Sequence, residues 1–125
     1  MANPTPIELL SRLCKAIEAG DIEGVRTVYS PDVIVWGNFD RQERGLDDAI
    51  KVLDWLISST TARRYEIVRR MPLESGALQQ HVLHGTTTNG KEFAMPACLI
   101  VAVDGAHITR IDEYLDPAPI TAAME

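Results

Sequence analysis

Two kinds of side chain can move protons near neutral pH, a carboxylate taken out of water and an imidazole, and this chain offers both. In the segment Ile108 to Leu115 a two-residue period puts Thr109, Ile111, Glu113 and Leu115 on one side, and Ile108, Arg110, Asp112 and Tyr114 on the other. Arg110 and Asp112 suit a wet or interface face, which leaves Glu113 among aliphatic neighbours. Desolvation disfavours the charged form, so burial raises such a carboxyl toward the range in which it can take and return protons. The plainer reading of Glu113 is a salt bridge to an arginine at a pocket mouth or dimer face. His81 and His84 are the histidines near the same region, His107 following a turn. An imidazole titrating near neutrality is a natural general base. Being three apart, the two histidines point to opposite faces of a regular strand, so at most one lines a cavity. A hydrogen-bonded histidine without chemistry is the plainer reading of either.

Around these groups, Trp36, Asn38, His84, Met95, Cys98 and Tyr114 are the residues expected to contact a substrate. Three have a structural alternative here, core burial for Trp36 and apolar packing for Met95 and Cys98. Trp36 and Asn38 alternate with Gly37, and a bulge would exchange which of them faces inward. Cys14 and Cys98 show no CxxC or Cys-His spacing and read as small apolar residues. Asp47-Asp48 opens a helix, where the dipole favours acidic residues, and is not a metal site. No Ser-His-Asp, Walker, Rossmann or zinc motif is present, so neither a metal nor a cofactor is expected.

The elements that must position these residues follow from periodicity. Thr5-Pro6-Ile7-Glu8 opens a helix with a cap, a first-turn proline and a capping-box glutamate, and Gly20 ends it. Asp21 caps a second, shorter helix that Ser30-Pro31-Asp32 stops. Val33 to Phe39 reads as a strand, Asp40 to Gly45 as a polar connection, and Leu46 to Ile57 as a third helix. Strands are then expected over Tyr65 to Met71, Ala77 to Thr88, Phe93 to Val103 and Ile108 to Leu115, separated by Glu74-Ser75-Gly76, Asn89-Gly90 and Asp104-Gly105. The tail from Pro117 can pack or fray. Helices gathered ahead of a strand meander imply an α+β fold, a mostly antiparallel curved sheet forming a cone with three N-terminal-half helices around a pocket.

Composition bounds the function. The 125 residues, 46% hydrophobic and 24% charged, suit one folded domain spanning 1–125. A net charge of −6 argues against nucleic-acid binding, which needs clustered Lys and Arg. No apolar run approaches a membrane span and no leader is visible, so a cytoplasmic location is expected.

The chain resembles the nuclear transport factor 2-like superfamily, most closely its SnoaL-like branch. The resemblance rests on Ala19-Gly20-Asp21, Tyr29-Ser30-Pro31-Asp32-Val33, Gly45, and Ile108-Thr109-Arg110-Ile111-Asp112-Glu113-Tyr114-Leu115-Asp116. It implies a cone fold, frequent homodimers and a small hydrophobic ligand, with activities that vary across the superfamily. The roles of the ketosteroid isomerases fall on Gly37, Leu13 and Cys98 and are vacant. Those of the limonene epoxide hydrolases keep a carboxylate at Glu113 but have no arginine within Gln80-His81-Val82-Leu83-His84. SnoaL-like cyclases need only carboxylate or acid–base proton transfer, and similarity in the run Gln79-Gln80-His81-Val82-Leu83 favours His81 over His84. The expectation is therefore a cofactor-independent acid–base enzyme of isomerase, dehydratase or cyclase type. His81 would carry the proton and Glu113 would orient the imidazole or serve as partner acid. The alternative is a non-catalytic ligand-binding or dimerisation module of the same fold.

Overall fold

The Oγ1 of Thr5 accepts the N–H of Glu8 at 3.1 Å, which starts α1 (Pro6–Ala19), and Gly20 closes it with φ 70°, a left-handed conformation that suits glycine. The structure, a computed structural model, describes residues 2–125. Asp21 caps α2 (Ile22–Val28) through the N–H of Gly24. There follow β1 (Tyr29–Gly37), β2 (Glu43–Arg44), α3 (Leu46–Ser58), β3 (Thr60–Leu73), β4 (Gly76–Thr87), β5 (Glu92–Asp104), β6 (His107–Leu115) and α4 (Ala118–Ala123).

The strands form one curved six-stranded sheet in the order β2-β1-β6-β5-β4-β3, antiparallel throughout except for the β1–β6 pair. This is the expected α+β fold. Helix α1 packs on β3 and β4, α3 on β1, and α4 on β5. Leu9, Leu10, Leu13 and Ile17 of α1 interlock there with Val33, Leu83, Leu99, Val101, Ile108 and Ile111 of the sheet. The helices thus cover one face, and the side chains of that face surround whatever space the helices leave.

Several expectations are corrected. Ile108, placed by simple alternation with Arg110, is instead fully buried in the core. Thr109 is an extra residue on β6, since Ile108 faces Val103 while Arg110 faces the adjacent Ala102. That bulge returns Ile108 to the side of Ile111 and Glu113. Strand β1 begins at Tyr29 and ends at Gly37, with an irregular pairing to β6 before Ile34 that contains Pro31, a residue without an N–H for the ladder. Glu43-Arg44, read as connection, pairs with Val35 and Trp36 as a short edge strand. Strand β3 starts at Thr60, because Thr60 and Thr61 lie beyond the helix and suit extended backbone. The tail is ordered as α4, with Ile120 and Ala123 buried.

Candidate active site

Register aligns the site across the sheet. Gly37, Glu113, Leu99, Gln79 and Arg70 lie in one row, and Leu115, Ala97, His81 and Ile67 in the next. Residues paired directly across strands share a face, so Glu113, Gln79 and His81 all project toward the helices. Between Glu113 and His81 on the sheet and α1, α3 and α4 is a cavity of about 200 Å³, lined mainly by apolar side chains. An apolar cavity of about 150 Å³ takes benzene, so this one accommodates a ring with a substituent.

Glu113, Leu115 and Ile111 line the cavity together, as the alternation of β6 requires. Glu113 is half-buried and forms no salt bridge and no side-chain hydrogen bond among the described residues. Burial pushes its carboxyl up to about 7, and the positive charge of Arg44 draws it only partly back. Arg44 is itself engaged by Asp40, Nη2 to Oδ2 2.6 Å. The arginine salt bridge weighed for Glu113 is therefore made by a different carboxylate.

His81 is buried, and its partner is Gln79 rather than Glu113. The direction of that bond is fixed by charge. Arg70 Nε can only donate, and it donates to Gln79 Oε1 at 2.8 Å. The amide nitrogen of Gln79 then donates to His81 Nδ1 at 2.9 Å. His81 is thereby held as the neutral tautomer with its proton on Nε2. Burial and the nearby Arg70 charge lower its pKa to about 4, which keeps it neutral at physiological pH. The ring of Tyr65 stands edge-on to the imidazole, with centroids 4.9 Å apart.

Gln79, Arg70 and Tyr65 were not singled out from the sequence, nor was Tyr29. Gln79 was accessible to the same two-residue period as His81, since residues two apart share a strand face. The tyrosines needed tertiary structure. Both line the cavity, and no described residue hydrogen-bonds either hydroxyl. Burial raises both phenols, reinforced by negative charge at Glu113 and Cys14, so they stay protonated donors. Ser30 Oγ is the one buried polar side-chain atom left without a partner among the described residues. Tyr29, Tyr65, His81 and Glu113 each keep a polar side-chain atom without a hydrogen-bond partner among the described residues, and all four residues line the cavity.

The substrate-contact candidates divide. Met95 lines the cavity. Trp36, Asn38, His84, Cys98 and Tyr114 do not line it. Trp36 packs against Tyr114 on the outer face with centroids 5.4 Å apart. His84 Nε2 meets Glu66 Oε1 at 2.7 Å, also outside. Cys98 pairs with Tyr114 and shares that face. Asn38 spends its side chain on the backbone, its Oδ1 accepting the N–H of Leu115 at 2.8 Å, and so extends the β1–β6 ladder beyond Gly37. Gly37 lines the cavity in their place, as the ungapped family match implies. No group of three His, Cys, Asp or Glu side chains suited to a metal occurs among the described residues, and no helix there is long and apolar enough to cross a membrane.

Comparison with known proteins agrees with this architecture. The family model described as "SnoaL-like domain" matches residues 10–111. Among solved structures, AclR, a candidate hydroxylase from Streptomyces galilaeus, superposes with TM-score 0.85 at 12% identity, over 95% of this chain and 80% of that one. IdmH, a candidate polyketide cyclase from Streptomyces antibioticus, gives TM-score 0.84 at 16% identity over 97% and 99%. A protein with a ketosteroid isomerase-like fold from Catenulispora acidiphila, solved with trimethylamine, gives 0.81 at 15% over 97% and 94%. No curated protein matches the chain.

Proposed function

The chain belongs to the SnoaL-like domain family, and from that premise we propose that it is a cofactor-independent acid–base enzyme acting on a small hydrophobic carbonyl compound. The observation that carries the proposal is Glu113, an unpaired carboxyl at the wall of an apolar cavity whose pKa of about 7 lets it exchange protons at neutral pH. His81 then takes a different part from the base expected of it. With its Nδ1 accepting from Gln79, it offers an Nε2–H donor to a ligand oxygen.

The two groups stand on β6 and β4 with β5 between them and one row apart along the strands, so their backbones are about 12 Å apart. A ring-sized ligand can lie between, with its C–H at Glu113 and its oxygen at the imidazole. Glu113 as carboxylate takes the α-proton, and the electron pair moves onto the carbonyl oxygen. The Nε2–H of His81 stabilises the developing enolate by hydrogen bonding, with the Tyr29 and Tyr65 hydroxyls available to add to it. The resulting acid returns the proton at another carbon of a conjugated enolate, giving isomerisation, or the enolate carbon adds to a second carbonyl of the same ligand, whose C=O π pair becomes an alkoxide that takes the proton back from Glu113, giving cyclisation.

The test is α-hydrogen exchange of 2-tetralone in D2O, followed by proton NMR. Wild-type protein is expected to accelerate exchange over buffer. Glu113→Gln is expected to lower the rate about 10²–10⁴-fold, and His81→Ala about 10–10²-fold. An unchanged rate in Glu113→Gln would remove the assignment. Saturable ligand binding without any exchange would identify a carrier instead. We assign the outer sheet face, where Ile100 and Tyr114 are exposed beside the ion pair of Arg110 with Asp112, to contact with a second copy of the chain.

A further inference from the structure

At the mouth of the cavity three large apolar side chains remain exposed: Phe39 at 51%, Val52 at 46% and Trp55 at 49%, and all three also line the cavity. Phe39 comes from the connection after β1, and Val52 and Trp55 from one side of α3. Their apolar surface runs from solvent into the interior, where the polar groups are.

Phe39 is held where it is. A Cβ built on Gly37 would lie 2.8 Å from Phe39 Cε1, so the ring packs into the space the missing side chain leaves. The Arg44 guanidinium lies over the ring, 5.8 Å from its centroid, and is in turn fixed by Asp40. Gly37, a vacant position by comparison with the isomerases, is here the seat of an aromatic plate. Phe39 and Trp55 do not stack on each other, although both border the opening. An aromatic plate fixed at the surface beside the cavity is what an apolar ligand segment needs.

We propose that Phe39, Val52 and Trp55 form an outer subsite that grips the part of the ligand too large for the 200 Å³ cavity. The substrate class is then an elongated molecule with a carbonyl-bearing head beside Glu113 and His81 and an apolar extension passing between Phe39 and α3. The inference rests on the cavity being the ligand site. It does not depend on proton transfer occurring there.

Alkyl phenyl ketones from acetophenone to octanophenone test it, with affinity measured calorimetrically. Affinity is expected to rise two- to fourfold per added methylene, the increment for burying a CH2 wholly or in part. In the Trp36→Phe protein, where Trp55 is the remaining tryptophan, the longer ketones should quench emission more than acetophenone does. Phe39→Ala and Trp55→Ala should flatten the chain-length dependence to below about 1.5-fold per methylene, while acetophenone still binds measurably, which reports an intact cavity. Gly37→Ala, which displaces the Phe39 ring without removing it, should flatten the slope likewise, its effect being read from the slope alone because Gly37 also lines the cavity. An optimum at a short chain with weaker binding beyond it, a slope unaffected by these substitutions, or no binding by any ketone would overturn the subsite. Intact chain-length dependence without Glu113-dependent exchange would defeat the acid–base reading alone, and the converse would defeat the subsite alone.

Discussion

Burial acts in opposite directions on the two titrating groups of the cavity. It holds a proton on Glu113 up to about pH 7 and keeps one off His81 Nδ1 down to about pH 4. Each shift has a consequence for stability. Between the ordinary glutamate value of 4.5 and about 7, the folded state binds the Glu113 proton and the unfolded state does not, so stability falls as pH rises through that window. Glu113→Gln should therefore stabilise the protein by about 1–3 kcal/mol at pH 8, an upper range given its partial access to solvent, and by almost nothing at pH 4. Thermal melts of both proteins across this range check it, and equal differences at both pH values would contradict it. The depressed His81 contributes in the other sense, with stability lost as pH falls from 6.5 through about 4. At this scale the sequence disclosed Glu113, because alternation on β6 is strict beyond the Thr109 bulge. It did not disclose that Gln79 rather than Glu113 holds His81, since that depends on Arg70 crossing from β3.

At the scale of elements, Arg63 joins pieces that sequence reading treated separately. Its Nε donates to Ile17 O at 2.9 Å and its Nη2 to Glu18 O at 3.3 Å, both at the end of α1. Its Nη1 reaches Ile57 O at 3.4 Å, at the end of α3, and Thr60 Oγ1 at 2.6 Å, at the start of β3. Helix ends leave carbonyls without intrahelical partners, and one guanidinium satisfies both sets. Arg63→Ala should cost about 2–4 kcal/mol in urea denaturation, and Arg63→Lys should recover only part, because an ammonium cannot reproduce the planar fork. A loss below about 0.5 kcal/mol would show the contacts to be incidental. In the sequence Arg63 is one of two adjacent arginines, which describes neither the reach nor the target of its side chain. Helices α1 and α3 and strands β4 to β6 were legible because their apolar period is long and their caps and turns are explicit. The starts of β1 and β3 and the existence of β2 were not, because tertiary pairing decides them.

For the whole molecule, one curved sheet presents two different faces. The inner face, with α1, α3 and α4, encloses the cavity. The outer face carries Val68, Met71, Ile100 and Tyr114 exposed at 38–61%. If that face joins two copies, Ile100→Glu should shift sedimentation from dimer to monomer while leaving 2-tetralone exchange per chain within about twofold, because a desolvated charge without a partner costs several kcal/mol at an interface. A wild-type monomer at micromolar concentration would exclude the arrangement. The fold was legible at this scale through the order of helices and strands, and the presence of a pocket through curvature. The substrate was not, because it is set by which side chains meet across the cavity.

The central claim is that the ionised Glu113 carboxylate, not the His81 imidazole, is the base, and the pH profile of exchange tests it most directly. If Glu113 is the base, the rate for 2-tetralone rises about tenfold per pH unit up to about 7 and is level above it, once hydroxide-catalysed exchange is subtracted. A profile already level from pH 5 to 9 would place the essential group near 4, where His81 titrates, and would contradict the account.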